Sequence, residues 1–358
     1  MKPVGRVSTR TATDALSFCN PLIGCGAKHP LPGKSPGFYQ KRTTIKQALR
    51  KLPRHASRRT RPKGNVLKYK RFGAIIALTI LMCSGAAQAE SIFTYTSGKL
   101  LLTGGVSQIE GAAGGGLTPW AVIGGYGGRN QTGANAFYTQ VNTQDYQIKS
   151  YGALVGIHDR VELSYARQDF DTQGVGAALG LGYGYTISQD TIGVKVRILG
   201  DAVLEQDSWV PQIAVGAQFK SNKNGALVKT LGARDDSSTD YYVSATKLFL
   251  AEGLLVNGTI RATKANQFGI LGYGGLDDDY HTQFEGSVAY LLTRHLAVGA
   301  EVRSKPDNLG VAKEGAAVDA FVAYAPCKRI SFTLAYADLG NIVTRRQSGL
   351  YLSLQAGF

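Results

Sequence analysis

Between Pro119 and Phe358 the chain carries twelve segments of about ten residues in which apolar side chains alternate with small or polar ones. About ten residues is what a tilted strand needs to cross the ~30 Å hydrocarbon core of a bilayer. A period of two means that the two faces of each strand meet different surroundings. The segments lie near 119–127, 147–157, 160–169, 189–198, 209–220, 239–249, 252–263, 281–291, 294–304, 315–325, 328–338 and 348–358. Their connections alternate between long and short, with long loops expected near 128–146, 170–188, 221–238, 264–280, 305–314 and 339–347. Long loops on one side and tight turns on the other are the habit of outer-membrane barrels, and an even strand number leaves both termini on the side of the turns.

The facing supports the same architecture. Ile192, Val194, Val196 and Ile198 oppose Thr191, Gly193, Lys195 and Arg197, and Leu296, Val298, Ala300 and Val302 oppose Ala297, Gly299, Glu301 and Arg303. A soluble sandwich would alternate too, but its outer faces would be charged. Here the non-apolar face is mostly Gly, Ala, Ser, Thr and Gln with scattered ions, as a lumen would be. The fold expected is all-β: a transmembrane antiparallel β-barrel of 12 strands over residues 119–358, preceded by a cleaved signal peptide.

The formal charge of +15 would otherwise suggest a nucleic-acid partner, but the charge is not in the barrel. Residues 1–89 hold 18 Lys and Arg and one acid, Asp14, whereas the remainder holds 22 basic and 24 acidic residues. No nucleic-acid partner is therefore expected. Lys68, Lys70 and Arg71 precede the apolar run Phe72 to Met82, and Ala87-Gln88-Ala89 closes it, the layout of a signal peptide over 66–89 cut after Ala89. Residues 1–65, basic and aperiodic with five prolines from Pro30 to Pro62, read as a disordered extension arising from a misassigned start.

Residues 90–118 are rich in glycine and leave two readings open, a disordered lead-in or a plug folded into the lumen. Leu100 to Leu102 could also form a strand with Ala136 to Val141, which makes 14 strands the alternative count.

Chemistry is sparse. No G-x-S-x-G, H-E-x-x-H, phosphate loop or C-x-x-C pair is present, and no metal site or cofactor is expected. Asp277-Asp278-Asp279-Tyr280-His281 could place a histidine and carboxylates at the outer rim, but no nucleophile motif accompanies them. By parity, Glu162, Lys195, Arg197, Arg261, Glu285, Glu301, Arg303, Asp319 and Arg329 project into the lumen, where they either line an aqueous pore or pair across a closed one.

The run Gly98-Lys99-Leu100-Leu101-Leu102 through Gly114-Gly115-Gly116-Leu117-Thr118-Pro119-Trp120 to Gly127, with Tyr151 to Thr172 after it, resembles the bacterial outer-membrane family known as domain of unknown function 3034. The resemblance covers essentially the whole chain after the leader and implies an exported barrel, with no catalytic residue to carry over. The expected partners are outer-membrane lipid and lipopolysaccharide, and the barrel-assembly machinery, which would read the terminal aromatic Phe358. The expected activity is porin-like passage of small solutes. An outer-membrane enzyme acting at the rim and a structural or surface-contact barrel are the alternatives.

Overall fold

The structure, a computed structural model, describes residues 98–358 apart from Ala312. The basic extension over 1–65, the signal peptide over 66–89 and its cleavage residues Ala87 and Ala89 lie outside the described residues.

Twelve antiparallel strands close into one barrel. They are β1 (Thr132–Asn142), β2 (Gln147–Ile157), β3 (Val161–Asp171), β4 (Thr186–Leu199), β5 (Gln212–Asn222), β6 (Ser237–Phe249), β7 (Leu254–Thr263), β8 (His281–Thr293), β9 (Leu296–Arg303), β10 (Ala317–Cys327), β11 (Ile330–Ile342) and β12 (Arg345–Gly357). Each strand pairs with its sequence neighbour, and β12 closes the cylinder on β1 with Leu350 opposite Asn142 and Gly357 opposite Asn135. Phe358 extends that seam, its N–H donating to Ala134 O at 2.9 Å and its carbonyl accepting from Ala134 N at 3.0 Å. No sheet edge remains open, which is what a strand-built span in lipid requires.

Along each strand the pleat separates two environments. On the outer face Phe284, Ile192 and Ile260 are 63%, 56% and 54% exposed, whereas Lys195 and Arg261 on the inner face are 1% exposed. A continuous apolar outer wall over a closed barrel belongs in lipid, so this is an outer-membrane barrel. Lys247 is an exception to the facing rule, and its ammonium reaches the carbonyl of Glu205 in the turn between β4 and β5.

The first expected segment is corrected by the structure. Residues 119–127 form no strand, and the first strand is β1, inside what reads in the sequence as the long loop 128–146. Its polarity is inverted, with Phe137 and Val141 buried inward while Tyr138 faces out. That inversion is possible because the lumen offers an apolar partner. The 14-strand alternative also fails, since Leu100 to Leu102 form no strand and Ala136 to Val141 belong to β1. Two expected long loops are tight as well: only residues 143–146 join β1 to β2, and only Val343 and Thr344 join β11 to β12.

Two other far-end connections carry short helices. Helix α1 (Gln173–Ala178) sits between β3 and β4, and α2 (Gly225–Leu231) between β5 and β6. The β7–β8 loop turns inward, with Gln267 (φ 46°) and Phe268 (φ 62°) both in the left-handed region that β-carbons disfavour.

Candidate functional site

The lumen is occupied by the chain's own residues 98–127. The segment starts beside the turns, where Lys99 Nζ pairs with Asp159 at 2.7 Å. It rises as a short ladder in which Val106 and Ser107 pair with Gly114 and Ala113. Ile109, Glu110 and Gly111 form the tip of that hairpin. Gly114 is required there, because a Cβ would lie 2.0 Å from the carbonyl oxygen of Thr118.

Ten strands hydrogen-bond to this segment. Asn135 Nδ2 (β1) donates to Ser107 Oγ at 2.9 Å, and Ser150 Oγ (β2) to Ile109 O at 2.6 Å. Glu162 (β3) accepts from Ala113 N at 3.0 Å and Gly124 N at 2.7 Å, while Lys195 (β4) donates to Ala113 O at 2.9 Å. Gln212 (β5) donates to Ala121 O at 2.7 Å, and Thr246 (β6) accepts from Ala121 N at 2.7 Å. Thr259 (β7) donates to Pro119 O at 2.9 Å, and Trp120 Nε1 donates to Ser287 (β8) at 2.9 Å. Glu301 (β9) accepts from Leu117 N at 2.7 Å and Gln355 (β12) from Ser107 N at 2.9 Å. Apolar packing accompanies these bonds: Ile109, Leu117, Trp120 and Val122 join a buried cluster with Val141, Leu248, Phe268, Ala297 and Phe321.

A charge cluster surrounds the hairpin tip. Glu110 is fully buried and meets Arg303 at 2.8 Å, Arg261 at 3.9 Å and the ammonium of Lys220. Asp240 takes Lys220 at 2.7 Å and Arg261 at 3.3 Å, while Glu285 takes Arg303 at 3.4 Å and also pairs with Arg261. The wall thus contributes three cations, Lys220, Arg261 and Arg303, against two acids, Asp240 and Glu285. Glu110 supplies the third negative charge. Removing it would leave a buried cation uncompensated, which is strongly unfavourable.

The far mouth is covered by the β7–β8 loop. Phe268 lies under the Arg303 guanidinium at 4.4 Å from its ring centroid, and its carbonyl accepts from Gln189 Nε2 at 3.1 Å. Tyr273, fully buried, donates to Gln189 Oε1 at 2.8 Å. Lys305, in the loop after β9, donates to Gln267 Oε1 and to Leu339 O, both at 2.6 Å, and pairs with Glu314 at 3.2 Å. Burial lowers the Lys305 pKa despite Glu314, and burial raises that of Glu314 despite Lys305.

A second ionic group guards the turn side. Arg197 Nη1 bridges Asp159 at 2.8 Å and Asp201 at 3.7 Å, and Arg129 approaches Asp201 at 3.4 Å. Burial pushes the Asp201 carboxyl up, but the N–H groups of Leu204 and Val203 together with Arg129 and Arg197 bring it below its ordinary value.

Of the nine residues expected in the lumen, Glu162, Lys195, Arg261, Glu285, Glu301, Arg303 and Asp319 are buried within it. Arg197 sits in the turn-side ionic group just described. Arg329 is not in the lumen: it precedes β11 in the two-residue turn and is exposed, because the strand begins one residue after it. Glu110, Lys220 and Asp240 were not among the sequence candidates. Lys220 follows the same parity as Gln212, Ala214, Gly216 and Gln218, so alternation could have found it. Glu110 lies outside any strand pattern, and only its isolation as an acid in a Gly-rich run marks it.

At the far rim His281 Nε2 meets Asp277 Oδ1 at 3.0 Å, and Asn308 Nδ2 donates to the same carboxylate oxygen at 3.2 Å. The N–H of Asp279 is the main influence holding the Asp277 carboxyl below its usual range, with His281 and Asn308 adding to it. Among the described residues no serine hydroxyl hydrogen-bonds to His281, and the Asp277 carboxylate ties His281 on β8 to Asn308 in the loop after β9.

The model of a family described as "Protein of unknown function (DUF3034)" matches residues 103–355. No curated protein matches the sequence. Among solved structures the chain is similar to a KdgM porin, at 11% identity and a TM-score of 0.42, over 63% of this chain and 99% of that one. It is similar to a NanC porin at 10% identity and 0.40, over 62% and 98%. It is also similar to the outer membrane phospholipase A of Escherichia coli at 9% identity and 0.37, over 65% and 94%.

Proposed function

Starting from a chain that belongs to the DUF3034 family, we propose that the barrel is a channel for small solutes whose passage is governed by its internal segment, residues 98–127. The observation that carries this reading is the split charge cluster. A barrel wall with two acids and three cations is complete only while Glu110 is seated, so the wall and the segment are built as separable halves of one site. A permanently solid barrel would have no need of lumen-facing ions, which cost free energy to bury and are more stably replaced by apolar packing.

In this reading passage is passive, down the gradient of the solute. The segment is seated by hydrogen bonds and ion pairs on a polar wall, and such contacts exchange readily with water once it shifts. Release of dye from proteoliposomes tests this. Native barrel should leak slowly, and Glu110→Gln should leak several-fold faster at equal protein content. Equal rates for the two would remove Glu110 from any gating role.

A further inference from the structure

We propose, resting on the channel reading above, that Lys220, Arg261 and Arg303 bind solutes carrying a single carboxylate, and that Glu110 occupies their site in the resting barrel as an internal stand-in for such a solute. Lys220 and Arg261 lie two residues before the ends of β5 and β7, and Arg303 ends β9, so the three cations converge at the far end of the lumen. The β7–β8 loop lies over them, with Lys220 Nζ donating to Phe268 O at 3.4 Å. A solute that passes this loop meets the cluster before the Glu162–Lys195 pair.

The contacts made by Glu110 define what the site accepts. Lys220 meets its Oε1, whereas Arg303 and Arg261 meet its Oε2 at 2.8 and 3.9 Å. Two oxygens of one planar group are thus shared between an ammonium and two guanidinium groups, which suits a carboxylate; a halide offers a single centre. Charge sets the valence. Against Asp240 and Glu285 the three cations keep one positive charge in excess, which one carboxylate balances and a phosphate dianion overshoots. The neighbouring ions are already engaged: Lys195 pairs with Glu162 at 3.1 Å, Lys305 with Glu314 at 3.2 Å, and Glu301 accepts from Leu117 N, Thr118 Oγ1 and Ser287 Oγ.

The cations do not depend on Glu110 for their placement. Asp240 holds Lys220 at 2.7 Å and Arg261 at 3.3 Å, and Glu285 holds Arg303 at 3.4 Å and also Arg261. Gln218 Oε1 accepts from Arg261 Nη1 at 2.6 Å, and the Tyr242 and Phe268 rings back Arg261 and Arg303 at 5.2 and 4.4 Å. All of these partners belong to the wall or to the β7–β8 loop, so the site stays arranged when the hairpin tip leaves, and binding costs little reorganisation. A solute carboxylate competes with Glu110 for the same three cations. Binding therefore favours release of the internal segment.

Chemical rescue tests the site without any conductance. Glu110→Ala removes the methylene and carboxylate that acetate supplies. In the detergent-folded barrel, internal segment included, acetate should raise the temperature of the heat-dependent gel shift of Glu110→Ala in a saturable way, while acetamide at the same concentration and ionic strength should not. Adding Lys220→Met, which leaves the wall with two cations and two acids, should abolish the acetate effect. Should Glu110→Ala fail to fold, the native barrel carries the test: propionate should speed proteolysis within 98–127 several-fold, and propionamide should not. Equal effects of acid and amide in the arm that can be read would overturn the site. An acetate effect in a barrel that leaks no dye would remove the channel reading and leave the site standing, and leakage with no acetate effect would do the reverse.

Discussion

Arg303 on β9 donates Nη1 to Glu110 Oε2 at 2.8 Å, joining a barrel strand to a hairpin 193 residues earlier in the chain. This contact and those of Lys220 and Arg261 make one carboxylate the charge partner of three strands. Glu110→Gln should lower unfolding stability by about 3–5 kcal/mol, the usual cost of breaking a buried ion group by removing one member. Denaturant titration in detergent would check this. A loss under about 1 kcal/mol would mean that water, not Glu110, compensates the cations.

Glu162 and Lys195 pair at 3.1 Å, and together they hold Ala113, Trp120 and Gly124 through main-chain bonds. Lys195→Met should free the lower part of the internal segment, and limited proteolysis within 98–127 should quicken by an order of magnitude. The double variant Lys195→Met with Glu162→Leu should be less damaged than the single one, since no lone charge then remains buried.

Phe268, in a left-handed conformation in the β7–β8 loop, packs its ring under the Arg303 guanidinium. Phe268→Ala removes a buried ring and a cation–π contact worth about 1–2 kcal/mol. The expected result is faster cleavage of the 264–280 loop with an unchanged heat-dependent gel shift. A lost gel shift would show that the loop supports the whole barrel.

Asp201 gives the turn side a pH dependence with a definite sign. Its folded pKa lies below the unfolded value, so its contribution is fully present above about pH 4 and is lost as pH falls through the lower folded value. Its N–H partners Val203 and Leu204, at 2.9 and 2.8 Å, should therefore keep their hydrogen-exchange protection from pH 7 down to about 4 and lose it below. Asp201→Asn should lower that protection at pH 7 by about 1 kcal/mol, the net scale of one hydrogen bond.

Phe358 is 64% exposed yet closes the last rung of the β12–β1 seam through its main chain. Deleting it should reduce the amount of assembled barrel in cells more than the stability of barrel that does assemble. Pulse-chase fractionation would check this, and normal assembly of the truncated chain would contradict a recognition role.

The strand periodicity was legible wherever one face meets lipid, because there the two environments differ sharply, as in β4 with Ile192 out and Lys195 in. It misled where the lumen itself is apolar. Phe137 and Val141 point inward to pack on the internal segment, so β1 reads as a loop, while Trp120 and Val122 alternate like a strand although they are buried in the lumen. The lumen ions on strands were legible by parity. Glu110 was not, since its role depends on a hairpin that no period describes.

The most direct measurement is single-channel current in planar bilayers for the native barrel and for a chain lacking residues 98–127. The account predicts brief, small openings for the native protein and a steady, larger conductance for the shortened one at the same voltage and salt. A folded, heat-shifting barrel without residues 98–127 that passes no current would contradict it.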